Sequence, residues 1–471
     1  MAKHSEPSAE IPDIVATISN RLPEGSELYI VGGWVRDRLM GRGGTEIDLA
    51  TSLPPGEIKR AMEGLGSIYD IGERFGTVGL RSEAATLEVT TFRADEYAPG
   101  SRHPQVTPVS DINEDLTRRD FTINAMALSV APDPGKLVDP FDGRKDIKSR
   151  LIRTPGDPGP RMAEDPLRMM RAVRFSAQLA FVIEPELLRA LETGHALLDE
   201  ISWERRRDEL EKILLSPNPD AGIRALVDTG LMEHVSEEVA EMRGVEQPRA
   251  YHRADVLEHT LLTMTYLPVD ALLRRAALFH DLGKPSAKVT EPKTMFPEHD
   301  KIGEQLTRQA MRRLRYGNDD IQKTAFLVRR HMRPIHYETK WSDAAVRRLI
   351  RDCTLMKDDQ VAVPLTAVLD LARADIKAGS EATAPHFLAL VDELEERIEA
   401  IRADLEVEKI RSPLDGRELM ELLERGPGPW IDEVKEHLVH LILEGELAPD
   451  DKDAAADLAR EFLKMGSDPL T

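Results

Sequence analysis

Two acids two residues apart, Glu46 and Asp48, lie in the short run Glu46-Ile47-Asp48-Leu49-Ala50. In an extended strand residues i and i+2 share a face, so both carboxylates project the same way. Like charges at that spacing repel unless a cation lies between them. Glu88, in the β-branched run Thr86 to Phe92, offers a third oxygen donor from a neighbouring strand. Carboxylates with retained waters suit Mg²⁺, the ion that commonly bridges protein and nucleotide phosphates. Upstream, Gly32-Gly33 closes the apolar strand Glu27 to Val31 and opens a short helix carrying Arg36 and Asp37, closed by Gly41. Glycine at such a turn lets backbone amides approach a phosphate, whose charge the helix amino end favours. Together these are the parts of a nucleotidyl-transfer site, in which two ions activate an attacking hydroxyl and stabilise a departing pyrophosphate. The plain alternative is an exposed edge strand that carries acids.

At this point the sequence resembles a known family. Val31-Gly32-Gly33-Trp34-Val35-Arg36-Asp37, then Glu46-Ile47-Asp48-Leu49-Ala50, is similar to the catalytic head of class II nucleotidyltransferases. That group holds the CCA-adding enzymes of tRNA and bacterial poly(A) polymerases, within the DNA polymerase beta superfamily. The similarity continues in order through Arg118-Arg119-Asp120-Phe121-Thr122-Ile123-Asn124-Ala125, Asp139-Pro140-Phe141-Asp142-Gly143 and Glu164-Asp165-Pro166-Leu167-Arg168. Five ordered motifs are specific where each alone is not. One departure stands out: the family usually has Asp-x-Asp where this chain has Glu46-Ile47-Asp48, which keeps the charge and adds a methylene. The resemblance implies Glu46, Asp48 and Glu88 as catalytic residues, with Glu46 and Asp48 holding Mg²⁺. It also implies a nucleotide site at Gly33, Arg36, Arg119, Asp165, Arg168, Arg171 and Arg174.

Asp165 and Arg168, three residues apart, are expected to be neighbours on one helical face. Cytosine and adenine both present an exocyclic amine beside an acceptor ring nitrogen. Asp165 accepts from the amine while Arg168 donates to the ring. Uracil and guanine place a carbonyl and an N–H at those positions, and each buried group left unpaired costs about 1–3 kcal/mol. A protein template of this kind selects C and A without a nucleic-acid template. Arg171 and Arg174 continue the spacing and, as the resemblance implies, meet the triphosphate, as does Arg119. Trp203-Glu204-Arg205-Arg206-Arg207-Asp208-Glu209 resembles the family's last motif and reads as scaffold for that helix.

A second cluster lies downstream. His259, His280-Asp281 and Asp375 occur in the order of the HD phosphohydrolases, and Ala276-Ala277-Leu278-Phe279-His280-Asp281-Leu282-Gly283-Lys284-Pro285 resembles their motif. Imidazoles and carboxylates from three helices can enclose a divalent ion and leave positions for water and phosphate. His299 and His331 extend the set toward a second ion. Ligation needs neutral imidazole, so the site weakens in acid. In the CCA-adding family such a domain hydrolyses phosphate esters or serves as an RNA-binding body.

Around these residues, 471 positions allow three or four domains at roughly 100–200 residues each. A composition 41% hydrophobic and 31% charged is that of a globular chain. No run approaches the roughly 18 apolar residues of a membrane span, and Met1 to Glu10 lacks the marks of a secretory signal. The lone Cys353 excludes an internal disulfide and an all-thiolate metal site, which favours a reducing cytoplasm. Net charge is −21, but residues 381–471 hold 24 acids against 10 Lys/Arg, whereas Arg308 to Arg351 holds 12 bases against 4 acids. Phosphate binding follows the local field, so RNA remains a compatible partner.

The expected fold class is α+β. A mixed-sheet nucleotidyltransferase head (12–150) precedes an all-α neck (151–245), an HD-type helical body (250–380) and an acidic helical tail (381–471). Strands are expected at 27–31, 46–50, 76–81 and 86–92, a helix near 57–65, and a polar loop from Arg93 to Asp111. Its segment Glu96 to Gln105, with Arg102, matches a loop that CC-only relatives generally lack. β-rich runs are expected to disappear after Glu164. The implied enzyme is a CCA tRNA nucleotidyltransferase using CTP, ATP and Mg²⁺, with the basic stretch on the acceptor arm and a second divalent metal in the HD domain. The alternatives are a poly(A) polymerase or A-adding enzyme, disfavoured by the acidic tail, and an HD phosphohydrolase with a non-catalytic head. Oligomeric state is left open.

Overall fold

The computed structural model of the chain describes residues 11–465 apart from 73–75, 84, 97–104, 249, 251, 359 and 405–410. The chain forms two compact units, 1–237 and 238–471.

Alternation organises the first unit. Strands β1 (Leu28–Val31), β2 (Glu46–Thr51), β3 (Ser67–Gly72), β4 (Thr77–Arg81) and β5 (Thr86–Thr91) are followed by β6 (Arg93–Glu96), β7 (Gln105–Pro108), β8 (Ala127–Ala131) and β9 (Leu137–Val138). Seven of them form a sheet in the order β3-β4-β5-β2-β1-β8-β9. It is mixed, because β2 and β5 run parallel while the other described pairs are antiparallel. On one face Ile30, Ile47, Leu49, Leu80, Leu87 and Val89 pack with Val15 and Ile18 of helix Asp13–Ser19 and Ile58 and Met62 of helix Pro55–Met62. Each such aliphatic side chain contributes about 1.5–3 kcal/mol on burial. The opposite face carries a smaller core of Tyr29, Val31, Ala50, Phe92, Ile112 and Leu116. The acids stand on that second face, on the interior strands β2 and β5.

The helix near 57–65 runs instead from Pro55 to Met62, since Gly64 adopts a positive φ. The expected loop from Arg93 is in part a hairpin, with β6 and β7 paired from Arg93↔Pro108 to Glu96↔Gln105. Its polar composition carries no apolar stripe to mark the two strands, whose pairing comes from backbone hydrogen bonds. Residues 97–104, the part compared with the family loop and including Arg102, lie outside the described residues. Strands β3, β8 and β9 were not expected. β structure also persists beyond Glu164: Val182–Ile183 pairs with Leu151–Ile152, and Leu355–Lys357 pairs with Gln360–Val363.

Helices dominate from Pro158 onward, as expected. Head and neck share the first unit and are stitched by backbone: the Thr122 amide donates to the Arg153 carbonyl at 2.8 Å. The second unit contains the HD-type helices and an acidic tail with its own core of Leu419, Trp430, Val434, Leu438, Ile442 and Ala459. Among the described residues no helix is long and apolar enough to cross a membrane.

Candidate active site and metal centre

The parallel register of β2 and β5 sets Asp48 beside Glu88 and Glu46 beside Thr86. Glu46, Asp48 and Glu88 therefore share one face, while Ile47, Leu49, Leu87 and Val89 turn into the core behind them. Glu46 and Asp48 border a cleft of about 810 Å³ that also meets Gly33, Arg36, Asp37 and Arg42. Asp48 touches solvent on the cleft side, but protein replaces much of its hydration. That loss raises its carboxyl above the usual range; Arg119 opposes the shift and Glu46 adds to it. Glu88 is raised by burial and then by Asp48 and Glu46. Three mutually repelling oxygen donors on rigid strands fit a divalent cation of the Mg²⁺ type.

The tight turn is Gly32 rather than Gly33. Gly32 has φ +70°, and a Cβ there would lie 3.2 Å from Arg119 Nη1 and 3.6 Å from Asp48 Oδ2. Gly33 starts the helix Gly33–Leu39. Arg119 is aimed by Asp115, a residue the sequence reading missed. Asp115 is 1% exposed and accepts from Arg119 Nη2 at 3.0 Å and from Arg118 Nε at 2.9 Å. Burial would raise Asp115, but Arg119 and Arg118 outweigh it and hold it low. The spacing Asp115-x-x-Arg118-Arg119 was the available signal.

Arg36, Arg171 and Arg174 gather around one ring. Their guanidinium carbons lie 5.2, 5.7 and 4.3 Å from the centroid of Phe175, which packs edge-on against Phe121 at 5.6 Å. The quadrupole of that buried ring gives the three cations a common attraction. Arg171 Nε donates to Asp120 Oδ2 at 2.8 Å. Burial alone would raise Asp120, yet Arg171, Asn124 and the Phe121 amide lower it to about 2. Asn124 passes the network on, donating to Asp120 at 3.1 Å and accepting from Arg36 Nη1 at 2.8 Å. Arg36 also holds Asp37 through two bonds of 2.9 Å. Arg174 faces Glu209 at 3.0 Å, and burial lowers its guanidinium. Phe175 and Asp120 were not singled out; an aromatic among arginines at helical spacing was the legible hint.

The expected pairing of Asp165 and Arg168 on one helix is corrected. Pro166 disfavours α conformation in the residue before it. Asp165 is accordingly extended, at φ −143° and ψ 97°, between helices Pro158–Glu164 and Leu167–Leu179. Its carboxylate faces Arg205 at 3.3 Å. Arg168 is 6% exposed and is engaged elsewhere, donating to Glu164 at 2.7 Å and to the carbonyls of Arg161 (3.0 Å) and Arg118 (2.9 Å). The Trp203–Glu209 motif does contact this region, through Arg205 to Asp165 and Glu209 to Arg174.

In the second unit His259, His280 and Asp375 converge, as do Asp281, His299 and His331. All six are nearly or fully buried. His259 Nε2 lies 2.8 Å from Asp375 Oδ1, and Asp281 Oδ2 lies 3.2 Å from His280 Nε2. Nδ1 of His280, His299 and His331 faces the carbonyls of Ala277, Phe296 and Val328 at 2.8, 3.0 and 2.7 Å. A carbonyl only accepts, so each Nδ1 carries the proton; His280, which Asp281 raises against burial, also points Nε2 at that carboxylate, whereas His299 and His331 as neutral rings turn an Nε2 lone pair inward. Nε2 of His299 and Nε2 of His331 stand 3.4 Å apart. Burial lowers His299, and burial with His280 and His299 lowers His331 to about 3. Two neutral imidazoles thus face each other lone pair to lone pair, an arrangement that a shared cation would relieve. Lys284, also missed, reaches Asp281 and Gln247 at 2.6 Å each and adds a positive charge beside the cluster.

The basic stretch is less bare than its sequence count. Arg308, Arg313, Arg333 and Arg348 meet Glu304 (2.9 Å), Glu238 (2.5 Å), Asp352 (3.2 Å) and Glu444 (2.9 Å), and Arg329 meets Asp300.

Known proteins match these parts in order. Residues 28–153 match the poly A polymerase head domain, 180–242 the probable RNA and SrmB-binding site of polymerase A, and 249–376 the HD domain. A CCA-adding enzyme of Lactobacillus johnsonii is 44% identical over 229 residues, which are 48% of this chain and 55% of that protein. The chain thus spans about half the length of this and similar curated relatives that it matches. A CCA-adding enzyme of Bacillus pumilus is 36% identical over 294 residues, 62% of this chain and 68% of that protein. Among solved structures, the Bacillus stearothermophilus CCA-adding enzyme in complex with CTP superposes with a TM-score of 0.63 at 26% identity. That match covers 96% of this chain and 97% of that one.

Proposed function

This chain belongs to the CCA-adding enzyme family, and from that premise we propose that it adds C, C and A to the 3′ end of tRNA. CTP and ATP are the donors, pyrophosphate leaves, and no nucleic-acid template is used. The observation that carries this reading is the common face of Glu46, Asp48 and Glu88 beside a cleft bordered by Arg36. Glu46 and Asp48, with Glu88 alongside, would hold Mg²⁺, which when bound polarises the α-phosphate and favours ionisation of the attacking 3′ hydroxyl. Arg119, aimed by Asp115, meets triphosphate charge at the Gly32 turn. Arg171 and Arg174, gathered on Phe175, are assigned the remaining phosphate oxygens. Asp165 and Arg168 read the amine and ring nitrogen of the base once Asp165 leaves Arg205 and Arg168 leaves Glu164. The Asp165–Arg205 pair is worth only about 0–1 kcal/mol, so releasing Asp165 is inexpensive, whereas the buried Arg168 gives up Glu164 only if the base replaces that bond.

A tRNA lacking its CCA end, offered CTP alone, ATP alone and both, tests the reading. The expected products are two added nucleotides, none, and three. Extension by ATP alone into a long tail would instead identify a poly(A) polymerase, and addition of one A only to a tRNA ending in CC would identify an A-adding enzyme. The Arg308 to Arg351 stretch is assigned to backbone phosphates of the tRNA, which makes binding salt-sensitive. In this scheme residues 12–150 catalyse, 151–245 read the base and grip RNA, 250–380 form the HD body, and 381–471 form the tail. We place the activity in the cytoplasm.

A second activity is favoured by the facing imidazoles of His299 and His331. We propose that His259, His280, Asp281 and Asp375, extended by these two, hold a divalent metal and hydrolyse phosphate esters. The metal would serve as Lewis acid toward the phosphate. The double variant His280→Ala, Asp281→Ala should lose divalent-dependent hydrolysis of a phosphomonoester or cyclic phosphodiester while its nucleotide addition persists. Hydrolysis at the wild-type rate would end this second reading.

A further inference from the structure

The neck carries a third convergence of ligating side chains, apart from the carboxylates and the HD cluster. The 3₁₀ turns His195–Glu200 and Leu231–His234 bring His195 Nδ1 within 2.9 Å of His234 Nε2. A Glu233 oxygen joins them, and the three ligand atoms lie within 4.8 Å of one another. We propose that His195, His234 and Glu233 bind a divalent transition-metal ion of the zinc class.

The surroundings are built for ligation. Asp199 Oδ1 lies 3.0 Å from His234 Nδ1. A carboxylate accepts there, so Nδ1 holds the proton and the Nε2 lone pair of His234 points at His195. This is the carboxylate–histidine arrangement that orients metal-ligating imidazoles. Arg206, 2% exposed, fixes both turns by donating to the carbonyls of Ile201 (2.8 Å) and His234 (2.5 Å), and sits 3.5 Å from Asp199. Gly230, at φ +77°, leaves room for the His195 ring: a Cβ there would lie 3.2 Å from His195 Cγ. A bare histidine–histidine hydrogen bond explains neither Asp199 behind one ring nor Glu233 beside both.

Two imidazole nitrogens and one carboxylate oxygen are borderline donors that suit Zn²⁺ over Mg²⁺, and three protein ligands leave a fourth position to water. Glu233 is exposed, so an ion enters directly from solvent. On binding, His195 exchanges its Nδ1 proton for an Nε2 proton, and both rings stay neutral. The ion then ties together the two turns that end the neck, and by mass action stabilises this unit.

Zinc content and Zn²⁺ titration of the full chain test the site in wild type, His195→Ala, Glu233→Gln, Asp199→Asn and His280→Ala proteins, each checked by circular dichroism. We expect His195→Ala and Glu233→Gln to lose one zinc equivalent that His280→Ala retains. Asp199→Asn should weaken that equivalent about 10–100-fold. Zn²⁺ should raise the Tm of wild type more than that of Glu233→Gln. Unchanged stoichiometry and affinity in both Glu233→Gln and Asp199→Asn, or loss of all zinc in His280→Ala, would overturn the proposal. Glu233 is a surface residue, so its variant reports on binding even where His195→Ala folds poorly.

Discussion

Asp48→Asn is expected to slow nucleotide addition by at least about 10³-fold while leaving the head folded. A bound metal supplies several kcal/mol of transition-state stabilisation, and about 4 kcal/mol corresponds to roughly 10³ in rate. Asp48 is the carboxylate that both Glu46 and Glu88 crowd: it pushes Glu88 upward and is itself pushed by Glu46. Removing its charge relieves that repulsion in the absence of metal. The same substitution should therefore leave Tm equal or higher in Mg²⁺-free buffer, a sign opposite to that of a damaged core. Single-turnover extension of a truncated tRNA, together with thermal melting, measures both effects. A rate within tenfold of wild type would remove Asp48 from the reaction.

The second large effect is expected at Asp120, where stability rather than chemistry is the first readout. Asp120 is 9% exposed and ties Arg171 to Asn124. Asp120→Ala leaves the part-buried Arg171 guanidinium and the buried Asn124 amide without their acceptor, a loss of about 1–3 kcal/mol. Asp120→Asn keeps the shape and removes only the charge. The folded carboxyl lies at about 2, below its ordinary value. Its charge therefore contributes stability that is fully present above the unfolded value of about 3.9 and is lost as pH falls through about 2, amounting to roughly 2–3 kcal/mol at neutrality. In urea denaturation the gap between wild type and Asp120→Asn should be widest from pH 5 to 7 and close toward pH 2. A gap independent of pH would show that charge is not what Asp120 contributes. Nucleotide addition should fall as well, because Arg171 loses its anchor.

The two experiments probe different kinds of legibility. Asp48 and its partners were readable because strand periodicity needs only adjacent residues: Glu46 and Asp48 share a face at spacing two. Glu88 joined them from a second β-branched run, which the parallel register then placed beside Asp48. The HD residues were readable because their motif is compact around His280-Asp281. Asp165 and Arg168 misled for the same reason. Spacing three promised one helical face, but Pro166 broke the helix between them.

What the sequence determined alone was therefore local: the order of motifs, the acids on one face, the imidazoles and carboxylates available to a metal, and the mixed sheet followed by helices. What only the tertiary structure decided was partner choice. Arg171 reaches Asp120 across 51 positions and His259 reaches Asp375 across 116. Arg168 prefers Glu164 and two carbonyls to a free face. Asp115 aims Arg119, and Phe175 collects three guanidiniums. The reason is physical. Periodicity fixes the direction of a side chain relative to its own backbone, whereas a charged group desolvated on folding takes the best partner that three-dimensional packing brings within about 3 Å.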